Sequence, residues 1–405
     1  MRDIDFQQQL LGITAPWRVV EVRVDREAKV VETIVAHDGP TLCPMCSQPG
    51  PIHDHRERRW RHLDLYEFRA YVLTRVPRVS CSEHGVHQLP VPWADGKSSF
   101  TALFERLVIS LLGEMSISGA AKTMGLSWGE VDTIMRRAVA RGLERRSGRI
   151  LRRIGIDEKS VKKRHVYFTI VTDLERGEVI WIGRGRKNST LDAFWKSLSI
   201  EERAAIEGIA MDMHEPYVLS TREHVPDAAK KIVFDKFHVM AYLSRAVDQT
   251  RRVIMNERGH AASGLKRSRF LWLFAERNLD DDRRAQLEAL RMKYVRLGIA
   301  WANKENFAEF WRASTQDIAR LFFEDWFAAV EGTFNAPMIS AAQTIKRHLE
   351  NLLTYISMPI TNAMSEGMNS RIQLIKFRSR GFRNQDRFER AIMFHCGGLD
   401  MNPAT

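Results

Sequence analysis

The stretch RIGIDEKSV, residues 153–161, places an aspartate at the end of a short apolar run. Such a run, bounded by charged residues, reads as a buried strand whose terminal carboxylate points out of a sheet. Working outward, HVYFTIVTDL (165–174), GEVIWIGRG (177–185), IEGIAMDMHEPY (206–217) and KKIVFDKFHV (230–239) are further short apolar runs, and a helical pattern occupies about 189–205. The order is five strands with one helix between the third and fourth, which predicts a mixed-sheet α/β core. Two of these runs end in an acid, Asp157 and Asp212.

A third candidate acid for the cleft lies far downstream in ITNAMSEGMNSRIQLIKFRSRGF, residues 360–382. Thr361 or Asn362 can cap a helix there. Asn362, Glu366, Asn369 and Gln373 then form one polar stripe, while Ala363, Met364, Met368, Ile372 and Ile375 can pack the helix on a sheet. A helix laid across two strand ends would bring Asp157, Asp212 and Glu366 together. Three converging carboxylates are costly unless cations neutralise them. Magnesium or manganese suits all-oxygen ligands, and two such ions can activate the attacking oxygen and stabilise the leaving oxygen of a phosphodiester. Lys376, Arg378, Arg380 and Arg383 follow directly and would hold a DNA backbone beside the metals. Any one of these acids alone reads equally well as a solvated surface residue; their recurrence in a βββαβ order argues for a site.

The N-terminal hundred residues carry different chemistry. Residues 17–37 and 66–80 alternate apolar and polar positions, as strands do. Three of the four cysteines, Cys43, Cys46 and Cys81, fall within this block. Cys43-x-x-Cys46 and Cys81-x-x-His84 have the spacing of two zinc knuckles, a closed structural site. His87 is an alternative fourth ligand, with His53 and His55 as more distant options. Bound metal would replace a core that so small a β unit could not otherwise build.

Residues 99–146 read as helices. In SGAAKTMGLSWGEVDTIMRR, Ala121 allows close helix approach, Gly125 suits a positive φ in the turn, and Val131 and Ile134 pack the second helix back. This is a helix-turn-helix pattern, although an ordinary helical hairpin has the same features. The second helix would present Ser127, Trp128, Thr133 and Arg136 to a major groove, beside Glu130 and Asp132. Arg137 and Arg141, with Arg145, Arg146, Arg149, Arg152 and Arg153, would add phosphate contacts.

Charge supports this direction: the 405-residue chain carries a net +12, which favours a polyanionic partner. No run of eighteen apolar residues exists, so no membrane span or membrane partner is expected. The N-terminus MRDIDFQQQLLGI lacks the apolar core of a secretory signal. Both features imply a cytoplasmic protein, nucleoid-associated when DNA-bound, and make a disulfide framework unexpected.

The ordered motifs CPMC…CSEHGVHQLPVPWAD, GIDEKS, MDMHEPY, VFDKFHV and TNAMSEGMNSRIQ…GFRN resemble those of the ISL-three-type bacterial insertion-sequence transposases, over residues 40 to 395. The resemblance implies a zinc-binding β-rich domain (1–98), a helix-turn-helix domain (99–150), a ribonuclease-H-like core (151–238 and 356–405) and an all-helical insertion (239–355). It implies Asp157, Asp212 and Glu366 as metal-binding acids, with Asp235 and His238 in matching positions and Asn362 and Asn369 as possible support. Two Mg²⁺ (or Mn²⁺) ions and one structural Zn²⁺ are the implied cofactors. Terminal inverted repeats and target DNA are the implied partners, and joining two ends calls for a homodimer or larger assembly. The family's finger commonly ends in a cysteine pair, whereas Cys81 is followed by His84 here. In the insertion, Trp272, Trp301, Trp311 and Trp326 are expected to fill a core rather than stack on bases. Arg245, Arg251, Arg252, Lys266 and Arg267 are expected to track DNA or a second subunit. The competing classes are a DNA-binding regulator with an inactive nuclease-like core and a structure-specific nuclease without strand transfer.

Overall fold

The computed structural model describes residues 3–96, 98–146, 148–162, 166–360, 363–379 and 381–404; the side chains of residues 3, 161, 162, 363 and 366 lie outside that description. The chain forms two compact units, residues 1–148 with 376–405, and residues 149–375.

The first unit opens with helix α1 (Asp3–Leu10) and strands β1 (Trp17–Asp25), β2 (Val30–His37), β3 (Ile52–Arg61), β4 (Arg69–Cys81) and β5 (Gly85–Gln88). They make one sheet in the order β1-β2-β4-β3, with β5 also on β4. β2 and β4 are parallel, and the other pairs are antiparallel. Alternation decides which face is covered: Val19, Val35, Trp60, Val72 and Val76 are buried with Trp17 and Trp93. Trp93 meets Trp17 and Trp60 edge-on at 5.1 and 5.6 Å, an arrangement favoured by the ring quadrupoles. Strand β3 was not foreseen. Its sequence IHDHRERRWR is almost wholly charged, and only Trp60 and Arg61 at its end are buried.

Three helices follow: α2 (Ala102–Glu114), α3 (Ile117–Met124) and α4 (Trp128–Arg145). The turn between α3 and α4 is built as expected. Gly125 closes α3 in the left-handed region at φ 62°, and Ser127 caps α4. Val131 and Ile134 are fully buried.

The second unit holds β6 (Arg153–Lys162), β7 (Val166–Asp173), β8 (Glu178–Arg184), helices α5 (Asn188–Ser197) and α6 (Ile200–Ala205), β9 (Gly208–Met211), α7 (Glu215–His224), α8 (Ala228–Lys231) and β10 (Ile232–Phe234). The sheet order is β10-β9-β6-β7-β8. The first three strands form an antiparallel meander, and β9 and β10 join parallel to β6. This is the mixed sheet expected, with two helices rather than one between its third and fourth strands.

From β10 the chain runs into α9 (Lys236–Arg258), α10 (Arg269–Leu273), α11 (Asp281–Lys293), α12 (Val295–Asn306), α13 (Gln316–Glu331), α14 (Ala336–Arg347) and α15 (Leu349–Ser357). Trp272, Trp301 and Trp326 are buried in the core these helices share with the sheet. Arg251, expected on the surface, is buried; Asp248 on the preceding turn pairs with both Arg251 and Arg252.

Helix α16 (Ala363–Arg378) and α17 (Gln385–Cys396) complete the chain. The sequence reading kept 356–405 together as the last part of the core. In the structure residues 376–405 cluster with the first unit instead. The reason is α17, which packs on α4: Arg390 donates to Asp132 at 2.7 Å, and Gly142 of α4 has no Cβ where Leu399 passes.

Candidate functional site

In the second unit, Ile156 of β6 pairs with Met211 of β9, and Phe234 of β10 pairs with the same Met211. Asp157, Asp212 and Asp235 each stand one residue beyond these pairs. The parallel register thus lines up three acids on three adjacent strands: Asp212 and Asp235 just past the ends of β9 and β10, and Asp157 midway along β6, where it pairs with Ile170 of β7 rather than ending the strand as the sequence suggested. Asp157 is 9% exposed. Its Oδ1 accepts the Glu158 backbone N–H at 2.7 Å, and its Oδ2 accepts the Asn369 side-chain amide at 2.6 Å. That second bond ties α16 to the middle of β6.

Burial pushes the Asp157 carboxyl up to about 6, with the Asp212 charge adding to the rise; the Glu158 N–H, His238 and Asn369 act the other way. Burial likewise raises Asp212, against the opposing effect of His238 and His214. Among the described residues no lysine or arginine pairs with either carboxylate. Two carboxylates on adjacent strands, with no cationic side chain paired to them among the described residues, offer the oxygen donors a hard divalent ion requires. The Nε2 of His238 and the Oγ of Ser365 are buried with no hydrogen-bond partner among the described residues.

Asp235 caps α9, accepting the Phe237 N–H at 2.6 Å, which sets His238 in that helix's first turn. Asn369 is thus in contact with Asp157, and His238 is close enough to act on the charges of both Asp157 and Asp212. Asn362 and Arg380 lie outside the described residues, as does the side chain of Glu366. Sequence reasoning assigned no role to His214 or Tyr217. The Tyr217 hydroxyl is buried 2.8 Å from Thr169 Oγ1, and burial raises its pKa. Both residues sit in the motif MDMHEPY, and its density of polar groups after a strand was the available signal.

In the first unit, Cys43, Cys46, Cys81 and His84 bring one ligand atom each within 4.8 Å of one another. Cys43 and Cys46 form a knuckle closed by the Ser47 N–H on the Cys43 carbonyl at 2.8 Å. Cys81 ends β4, and its thiol is lowered to about 6 by the His84 ring, with help from the Glu83 and His84 backbone N–H groups. His87 does not enter the cluster; its Nε2 lies 2.7 Å from the His84 carbonyl. Three sulfurs and one imidazole at tetrahedral spacing suit zinc.

The helix-turn-helix surface differs from the sequence expectation in its arginines. Arg137 donates to Glu105 of α2 and, at 2.9 Å, to Ser98 Oγ. Arg141 reaches the Met401 carbonyl at 2.6 Å and Glu105 at 3.4 Å. Glu105 is 1% exposed, so both guanidinium groups neutralise a buried carboxylate rather than face outward. Ser127 is engaged in a capping box with Glu130. The Trp128 ring carries the Arg387 guanidinium at 4.4 Å. Arg136 is exposed and Thr133 half-exposed on the outer side of α4. Lys376 is half-buried, and Arg378 and Arg383 are exposed.

A zinc-bearing β unit, a helix-turn-helix and a mixed sheet with aligned acids define a DNA-processing enzyme of the transposase class. Comparison with known families bears this out. Residues 154–392 match a transposase family model, residues 89–139 the helix-turn-helix domain of transposase family ISL3, and residues 39–84 the zinc finger of transposases of IS204, IS1001, IS1096 and IS1165. The chain belongs to the ISL3 family of insertion-sequence transposases, enzymes of the DDE type. It is 27% identical to the transposase for insertion sequence element IS1001 of Bordetella parapertussis, covering 92% of this chain and 90% of the relative. It is 26% identical to the transposase for IS1557 of Mycobacterium tuberculosis, covering 95% and 93%. No helix among the described residues is long and apolar enough to cross a membrane.

Proposed function

We propose that this transposase binds the terminal inverted repeats of its own element through the zinc unit and the outer face of α4. It then cuts and joins DNA with Asp157, Asp212 and Glu366 as ligands of two Mg²⁺ or Mn²⁺ ions. The observation that carries this reading is buried Asp157, held by Asn369, in register with half-buried Asp212 on the adjacent parallel strand. Glu366 stands one helical turn before Asn369 on the same helix, the separation at which residues share a face.

The bound ions would supply charge neutralisation and activation of the attacking oxygen. The protein's own part is positional. Asp235 fixes the start of α9 and with it His238, whose Nε2 has no hydrogen-bond partner among the described residues. Asn369 holds one Asp157 oxygen and leaves its other lone pairs for metal. In the first step, water attacks phosphorus, the bond to the 3′-oxygen breaks, and a 3′-hydroxyl and a 5′-phosphate result. In the second, that hydroxyl attacks a target phosphodiester and one target P–O bond breaks as the new one forms. Bond number is conserved, so joining requires no nucleotide triphosphate. Two ends must be held at once, which calls for a dimer or larger assembly.

The test uses labelled duplex carrying inverted-repeat ends. With Mg²⁺ or Mn²⁺ the protein should nick at the ends and join them to target; with Ca²⁺ it should bind only. Asp212→Asn should bind normally and do neither. Surviving cleavage would remove Asp212 from the site, and binding without any cleavage by the unaltered chain would favour a regulator.

A further inference from the structure

The helical insertion carries a cavity that the proposed chemistry does not use. It measures about 510 Å³ and is lined by Arg267, Phe270, Leu271, Phe274, Arg283 and Gln286, from α10, the residues flanking it on either side, and α11. Trp272, Trp301 and Trp326 of this insertion are interior, yet these two phenylalanines are not. Phe270 is 60% and Phe274 43% exposed, and their rings stack at 6.0 Å with 28° between planes. Leu271 forms a buried floor. Arg267 has no ion-pair partner among the described residues and holds a left-handed backbone at φ 65°. Arg283 is 3.5 Å from Asp280, and both side chains are more than half exposed.

We infer that this cavity receives an unpaired nucleotide of the DNA, its base against the Phe270–Phe274 rings and its phosphate on Arg267 and Arg283. The inference rests on the proposed role as a DNA-joining enzyme. Two exposed aromatic faces suit any base, because stacking needs only a π-face. Guanidinium groups at the rim suit the one anionic group every nucleotide carries. Gln286 adds an amide that can donate to or accept from a base edge. A cavity of this size lies in the range that encloses a small ligand. A paired duplex keeps its bases stacked inside and cannot offer one to the rings. The occupant is therefore a base displaced from the helix, or one in a single strand such as arises when an element end is opened.

The test compares binding by the full-length protein, followed by fluorescence polarisation, to three DNAs. One is a fully paired inverted-repeat duplex, the second the same duplex with one extra unpaired adenine, and the third a single-stranded oligonucleotide. The double variant Phe270→Ala/Phe274→Ala should weaken the two unpaired probes by about tenfold or more and the paired duplex by less than about twofold. Phe270→Tyr, which keeps a π-face, should restore binding. Arg267→Gln should lower the salt dependence on the unpaired probes by roughly one charge. Equal affinities of variant and parent on the unpaired probes would overturn the inference. So would an equal loss on the paired duplex, or a change in sedimentation of the DNA-free protein, which would mark the cavity as a contact between two copies. Failure of the broader proposal shows separately, as absence of end binding and cleavage on the paired duplex by the unaltered chain.

Discussion

Replacing Arg137 with alanine separates two roles that the same arginine could play on a DNA-binding helix. Its guanidinium neutralises Glu105, which is 1% exposed, and also donates to Ser98 Oγ. Without it, Arg141 at 3.4 Å is the remaining cation on that carboxylate. A hydrogen bond to a charged group contributes about 1.5–3 kcal/mol, and removing one partner of a buried ion pair costs about 3–5 kcal/mol when nothing replaces it. With Arg141 still present, a loss of about 2–3 kcal/mol is expected. The affected unit has about 180 residues, for which each kcal/mol moves Tm by about 2–4 °C. The first unit's transition should therefore fall by roughly 4–12 °C. Below that transition, affinity for inverted-repeat DNA should be unchanged. Arg136→Ala should do the opposite: no change in Tm, weaker DNA binding, and a salt slope reduced by about one. Thermal melts by circular dichroism and polarisation titrations at several salt concentrations give both numbers. If Arg137→Ala keeps the parent Tm and loses DNA affinity as Arg136→Ala does, the assignment of Arg137 to Glu105 is wrong.

Other outcomes follow from the site and its supports. His84→Ala should abolish stoichiometric zinc, measured by metal analysis of the purified protein, whereas His87→Ala should retain one zinc per chain, since only His84 joins the three thiols. Metal-free Asp157→Asn should be more stable than the parent at neutral pH. The folded carboxyl near 6 lies above its usual unfolded value, so the parent keeps full stability below about pH 4 and loses about 2–3 kcal/mol as pH rises through 6; a stability gap that shrinks as pH rises would refute this. Gly142→Ala places a Cβ 2.6 Å from Leu399 Cβ, so it should destabilise the first unit by about 1–3 kcal/mol in denaturant melts.

Much of this architecture was legible because it rests on local rules. The alternation in 17–37 gave β1 and β2, the apolar runs gave the strands of the mixed sheet, and Gly125 with Ser127 marked the α3–α4 turn. Asp212 was visible because an apolar run stops at it, whereas Asp157 looked like a strand end because the charged EKSVK that follows hides the continuation of β6 along β7; Asn369 followed from its helical spacing to Glu366. What escaped depends on partners remote in the chain. The charges of β3 concealed a strand because one face of its sheet is open. Arg137 and Arg141 looked like DNA contacts because the basic run ends on a helix, and nothing local reveals that Glu105 is buried beneath them. The assignment of 376–405 to the first unit depends on α17 meeting α4, a pairing with no periodic signature. The spacing left His84 and His87 both open; the folded chain groups His84 with the three cysteines, while His87 Nε2 lies beside the His84 carbonyl.

The clasp of the C-terminal segment on α4 carries a consequence for how the molecule is made. Arg145 reaches Asp400 and Asn402 across more than 250 residues of chain. Contacts so remote along the polymer slow the search for the native arrangement. During synthesis α4 emerges early, yet its arginines find their carbonyl acceptors only after the whole second unit has left the ribosome. A product that stops before residue 376 leaves those guanidinium groups bare and the first unit short of its closing helix.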